Sequence, residues 1–210
     1  MGVMELHQLV LGSVSTNCYL AKNKETNEVV IVDPADRADR IEAKINEISG
    51  KPAAILLTHG HFDHILAAES LREKYGIQIY ACRQEAGLLA DAQANMSLYM
   101  GGKACEIKSD VLLDDLQVFR AGGMDFQLIH TPGHTPGSCC YYMQDEKVLF
   151  SGDTMFLGSC GRTDFPGGSM AAMQRSLRRL LSGLPEETEV FPGHDASTSI
   201  DYEKRYNPFV

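Results

Sequence analysis

The chain has 210 residues, 44% hydrophobic and 22% charged, with a formal net charge of −9, the balance of a globular protein with a real core and a length that favours one domain over residues 1–210. The acidic balance excludes a basic nucleic-acid footprint. No segment approaches the roughly 20 apolar residues of a membrane span, and the N-terminus lacks the cationic start of an export signal.

In chain order, strand-like runs cover Glu5–Leu11, Cys18–Lys22 and Glu28–Pro34. Ala38, Ile41, Ile45 and Ile48 then recur at helical spacing with charges opposite, and Gly50 stands where the helix should stop. The run "AAILLTH" reads as a strand covered on both faces. A second helical face (Ile65, Ala68, Leu71, Tyr75) ends near Gly76. A short strand is expected over 77–81 and a Met-rich helix over 83–100. Residues 111–150 read mainly as strands, including "DFQLIHTPGH", "GSCCYYM" and "KVLFSGD". Ser169 is the expected N-cap of a helix presenting Met170, Met173, Leu177, Leu181 and Leu184, and "ETEVFPGH" closes the pattern with a last strand. Strands in blocks separated by helices imply a layered α/β domain.

Six cysteines stand at irregular spacing without a CxxC pair, which points to reduced, packed thiols in a cytoplasmic protein rather than to disulfides or a thiolate zinc site.

The unusual residues gather after strands. His59, His61, Asp63 and His64 follow "AAILLT", His134 follows "FQLIHTPG", Asp153 follows "KVLFSG" and His194 follows "EVFPG". Strand ends on one sheet edge are where loops converge to build sites. His59 and His61, two apart in an extended turn, project the same way, and His134 completes a first cation position. Asp63, His64 and His194 suit a second, with Asp153 able to bridge the two, as two-metal hydrolytic sites require. His7 and His130 are read as ordinary loop histidines, and Asp33 as a turn residue or a group that orients a ligand.

The motifs "THGHFDH", "HTPGHTPGS", "FSGDT" and "PGH", in that order, resemble those of the metallo-β-lactamase superfamily over nearly the whole chain. The resemblance implies a four-layer αββα sandwich. It also implies one metal on His59, His61 and His134, a second on Asp63, His64 and His194, and Asp153 between them. "TNCYL", "GSCGRTDFPGG" and "YEKRYNPF" resemble the compact glyoxalase II-like hydrolases. Glyoxalase II itself carries a C-terminal helical domain that binds glutathione, whereas only Asp195–Val210 follow His194 here. Many β-lactamases of the superfamily place a Cys where this chain has Asp153. Arg162 and Asp164 are expected to pair and brace the metal loops.

The expectation is therefore a metal-dependent hydrolase of acyl thioesters acting through a metal-bridging hydroxide that Asp63 orients. Its cofactors would be two divalent ions per chain, Zn(II) first, with Fe(II) or Mn(II) as alternatives. The substrate would be a small acyl-thiol, with no nucleic-acid or membrane partner and an oligomeric state the sequence leaves open. The alternative is a mononuclear iron persulfide dioxygenase on His59, His134 and Asp153. Such dioxygenases occur in the superfamily with a stretch like Cys160–Phe165, and one ligand set serves both readings.

Overall fold

A computed structural model describes residues 2–210. The first half contains β1 (Met4–Leu11), β2 (Thr16–Asn23), β3 (Glu28–Val32), α1 (Ala38–Glu47), β4 (Lys51–Leu57), α2 (Phe62–Ile65), α3 (Ala68–Tyr75) and β5 (Gln78–Cys82). A 3-10 turn (Arg83–Glu85) leads to α4 (Ala86–Leu89), α5 (Ser97–Met100) and β6 (Val111–Leu113). The second half contains β7 (Val118–Ala121), β8 (Met124–His130), β9 (Cys139–Met143), β10 (Val148–Gly152), β11 (Met155–Phe156) and β12 (Ser159–Cys160). It ends with α6 (Met170–Gly183), β13 (Glu189–Pro192), β14 (Thr198–Ser199) and α7 (Ile200–Tyr206).

Two six-stranded sheets form, ordered β1-β2-β3-β4-β5-β6 and β14-β13-β10-β9-β8-β7. The first is antiparallel from β1 to β3 and parallel from β3 to β6. The second is antiparallel except where β10 pairs β13.

Strand alternation turns these sheets into layers. Val29, Ile31, Ile55 and Leu57 pack outward with Ile41, Ile45 and Leu71 of α1 and α3. Their neighbours Val30, Val32, Ala54 and Leu56 point inward against Phe126, Tyr141 and Phe150 of the other sheet. Beyond that sheet, Cys140, Tyr142 and Leu149 meet Met173, Leu177 and Leu181 of α6. Helix, sheet, sheet, helix is the αββα order expected. A run buried on both faces, as β4 is from Ala54 to Leu57, cannot alternate polar and apolar residues. Truncating such a residue, Leu56 for instance, to Ala costs about 2–5 kcal/mol.

Two helix expectations are corrected. The helix over 83–100 is broken into the 3-10 turn, α4 and α5. Asp91 Oδ1 accepts the Gln93 and Ala94 amides, Met96 is left-handed (φ 68°), and the Asn95 side chain reaches the Cys105 carbonyl. A short carboxylate that binds its own following backbone competes with helix. The face starting at Ile65 is also interrupted, because the Leu66 and Ala67 amides donate to the Ala35 and Pro34 carbonyls. The helix resumes as α3 and stops at Gly76 in the left-handed cap expected. Ser169 caps α6 as expected, its side chain accepting from Ala172 N.

Candidate metal centre

The ends of β4, β8, β10 and β13 converge on one edge of the sandwich. Gly193 N donates to Gly152 O (2.9 Å), and Cys139 N donates across the two sheets to Thr58 O (2.9 Å). After β4 the chain stays extended through His61 (φ −65°, ψ 148°), then enters α2, which carries Asp63 and His64. The structure brings all seven expected ligands together. His59, His61 and His134 form one set and Asp63, His64 and His194 another, with ligand atoms in each set within 4.8 Å of one another. That span is little more than twice the roughly 2.1 Å length of a Zn–N bond. His59, His64 and Asp153 form a third, overlapping set, so the two positions adjoin. Asp153 reaches both. Its Oδ1 lies 3.4 Å from His64 Nε2, and its Oδ2 lies 3.5 Å from His134 Nε2 and 3.6 Å from His194 Nε2.

The outer nitrogens of three rings are taken by partners that set their tautomers. His64 Nδ1 donates to Asp33 Oδ2 (2.9 Å). Thr58 gives its hydroxyl proton to the same carboxylate (2.6 Å) and so accepts from His59 Nδ1 (3.2 Å). His134 Nδ1 donates to the Arg162 carbonyl (2.7 Å). The Nε2 atoms of His59 and His64 thereby face the centre, where His134 Nε2 lies 2.8 Å from His61 Nδ1. Six buried side-chain nitrogen or oxygen atoms lack a hydrogen-bond partner among the described residues, and His59 Nε2, His64 Nε2 and Asp153 Oδ1 are three of them. Buried polar atoms are rarely orphaned, and three aimed at one point fit a cation.

Electrostatics divide the histidines. Burial, with the neighbouring rings His134 and His64, lowers His61 to about 3 and holds His59 well below its ordinary value. Burial pushes His64 the same way, but Asp63, Asp153 and Asp33 outweigh it and raise that ring well above the usual value. His194 is raised too, because its bond to Asp63 and the Asp153 charge overcome burial. Burial would raise Asp63, yet His64 and His194 hold its carboxyl far below the usual carboxylate range.

Two glycines are required by close approach. A Cβ on Gly152 (φ 48°) would strike the Thr58 side chain, and one on Gly193 would strike Asp153 Oδ1 and His64 Cε1. "TNCYL" acts from β2. Thr16 Oγ1 donates to Asp63 Oδ2 (2.9 Å), while Asn17 Nδ2 and Tyr19 Oη donate to the Pro192 carbonyl beside His194 (2.9 and 2.7 Å). In "YEKRYNPF", the buried Glu203 accepts from Gly158 N, Thr198 Oγ1 and Asn207 Nδ2, which ties α7 to the loop after Asp153.

A cavity of about 160 Å³ opens over the centre, walled by Val14, Phe62, Met96, Met100 and Phe165, with Arg162 at its rim. Arg162 pairs in two-pronged fashion with Asp164 (2.7 and 2.7 Å) and lies 4.0 Å over the Phe165 ring. Both charged groups are exposed, so the contact with the centre comes from the Arg162 main-chain carbonyl. His130 lies outside the centre, with Nε2 bonded to the Pro136 carbonyl (2.9 Å). His7 sits on β1 beside Glu5.

Sequence reasoning missed Thr58, Thr16 and Glu85. Their hydroxyl and carboxyl groups carry no motif of their own. The available signal was adjacency to ligand-bearing segments, at Thr58 before His59 and Thr16 within "TNCYL".

Comparison with known proteins reaches the same edge of the molecule. Hydroxyacylglutathione hydrolase GloC of Haemophilus influenzae is 32% identical over 213 residues, covering 99% of this chain and 98% of that one. Among solved structures, the BLEG-1 B3 metallo-beta-lactamase superposes with a TM-score of 0.91 at 39% identity, covering 98% of this chain and 99% of the other. ETHE1 from Myxococcus xanthus gives 0.82 at 32% identity, covering 98% and 84%. The family model for the metallo-beta-lactamase superfamily matches residues 11–194, a span that begins at the end of β1 and closes on the last histidine of the centre. The chain belongs to that superfamily.

Proposed function

We propose that the protein is a hydrolase of small acyl thioesters that holds two divalent metal ions. His59, His61 and His134 hold one ion, Asp63, His64 and His194 hold the other, and Asp153 contacts both. The observation that carries this reading is Asp153, whose two oxygens lie 3.4–3.6 Å from nitrogens of both sets. A single-iron site uses two histidines and one carboxylate and has no need of that span. Zn(II) is the first choice, since imidazole nitrogens and carboxylate oxygens are among its ordinary ligands. Two such ions, when bound, acidify water toward neutral pH and polarise a carbonyl.

The chain's own groups do the rest. Asp63, fixed through Oδ2 by Thr16, orients the attacking water. Val14, Phe62, Met96, Met100 and Phe165 receive the acyl group and exclude bulk water. The choice of bond follows from what the walls lack. A thiol of parent pKa about 8.5 leaves as thiolate without being protonated, whereas an amine needs a general acid. Apart from the proposed ligands, Arg162 is the only ionisable residue among the residues lining the cavity, and His130 is engaged with Pro136. Similarity to GloC agrees with thioester cleavage.

The likeness to ETHE1 favours one second reading, a mononuclear iron oxygenase acting on a persulfide. One preparation separates them. Metal per chain is measured beside kcat/KM for an acyl-thiol, a matched oxygen ester and a β-lactam, and beside oxygen uptake with glutathione persulfide. Two metals, no uptake and fastest turnover of the acyl-thiol are expected. One iron with oxygen uptake establishes the second reading, and a β-lactam as best substrate ends the thioester one.

A further inference from the structure

Glu85, at the end of the 3-10 turn, is 1% exposed and has no Lys, Arg or His partner among the described residues. Its carboxylate is instead surrounded by donors. Oε1 accepts from Gly60 N (2.8 Å), Oε2 accepts from Gly137 N (2.9 Å), and the Thr135 hydroxyl lies 2.9 Å from each oxygen. Gly60 sits between His59 and His61. Thr135 and Gly137 directly follow His134. One side chain therefore clasps the two loops that supply one complete histidine set, without a hydrogen bond to any of its rings. The second set has no such contact. Asp63, His64 and His194 are held by Thr16, Asp33 and the β2 side chains.

The fit is tight. A Cβ on Gly137 would run into the Glu85 backbone, and one on Gly60 would press on Leu88 and Leu89 of α4. Burial pushes the Glu85 carboxyl up to about 7 against the pull of its three donors. An unpaired buried charge is costly to keep, so its retention needs a reason beyond packing.

We propose that Glu85 is a positioning residue that sets the spacing of the His59–His61 and His134 loops, and so the affinity of that set, and not the other, for a divalent cation. This rests on the two-site metal reading above. Glutamine has the same shape but replaces one acceptor with a donor. With a backbone N–H facing each oxygen, either orientation of the amide sets donor against donor.

The test compares Glu85→Gln in two backgrounds of the full chain. His194→Ala leaves only the first set intact, and His61→Ala leaves only the second. Zn(II) affinity is measured by competition with a chromophoric chelator, beside the melting curve of the metal-free protein. We expect affinity to fall about tenfold or more in the His194→Ala background, the scale of losing a group that orients ligands, and to hold in the His61→Ala background. Equal losses in both, or no loss in the first, overturn the proposal even if the melting temperature drops. If Glu85→Gln does not fold, Thr135→Val takes its place, and an unchanged first-set affinity then overturns it. Parent proteins that bind no Zn(II) defeat the metal reading itself, a failure distinct from a Glu85 effect that is absent or unselective.

Discussion

The two halves of the centre are built from opposite electrostatics. His59 and His61 are buried among other rings, which drives their protons off. His64 and His194 are just as close to one another's site but lie against Asp63, with Asp153 beside them and Asp33 behind His64. Those carboxylates hold protons on the second pair. His59 and His61 thus offer neutral lone pairs to a cation at any moderate pH. The second half is an anionic set whose charge is met either by protons or by a metal. Burial and carboxylates push imidazoles in opposite directions, so two positions sharing one cavity acquire different competitors.

The largest break in that comparison is Asp153→Ala, because this carboxylate contacts both halves. We expect loss of both paired occupancy and turnover, exceeding the roughly 10–100-fold cost of deleting a mere orienting partner. Metal per chain and kcat/KM measure it, and full occupancy with full turnover would exclude Asp153 as the bridge.

Mild acid should separate the halves. Metal ligation needs neutral imidazole, and the second pair binds protons more readily than the first. As pH falls below about 6.5, the second position should empty before the first, and activity should fall with it and return on neutralisation with added metal. Metal content after stepwise acid dialysis reads this directly. Emptying of the His59–His61–His134 position first would reverse the comparison.

The metal-free protein sharpens it further. His64 and His194 have folded pKa values above the unfolded value of about 6.5. Their contribution is complete below that pH and is lost as pH rises through the folded values. His59 and His61 have folded values below it, so stability falls as pH drops from about 6.5 toward the value of about 3 at His61. The melting temperature of the metal-free protein should therefore peak near neutrality and decline on both sides, by at most about 1.4 kcal/mol per pH unit for each shifted ring. A melting temperature that rises steadily with pH would show that the carboxylates do not hold the second pair.

The smallest effect belongs to Arg162→Ala. The Arg162–Asp164 pair is exposed, and exposed pairs contribute little. The bond to His134 comes from the backbone carbonyl, which the substitution keeps. Metal affinity of the first set should be unchanged, and any effect should appear in KM through the Phe165 wall. Loss of first-set affinity would give the side chain a bracing role.

Much of this was legible in the residues alone. The apolar run without alternation marked β4 as covered on both faces. The motifs that resemble the superfamily implied the αββα order and grouped the seven residues that the structure brings together. Gly76 and Ser169 marked helix ends because left-handed backbone and amide capping each suit few side chains. The helix over 83–100 failed where Asp91, Asn95 and Met96 break it, because a Met-rich composition does not reveal that nearby side chains take the backbone's hydrogen bonds.

What the sequence determined was the kind of residue at each strand end: imidazoles and carboxylates in a fixed order, with glycines where the backbone must turn beside them. Those are local properties of composition and spacing. Only the tertiary structure decided which nitrogen of each ring faces the cavity, that Asp153 reaches both sets, and that Glu85 clasps loops 25 and 50 residues away. These contacts join segments distant in the chain, and their selectivity comes from burial and from distances of about 3 Å, which no local pattern of residues encodes.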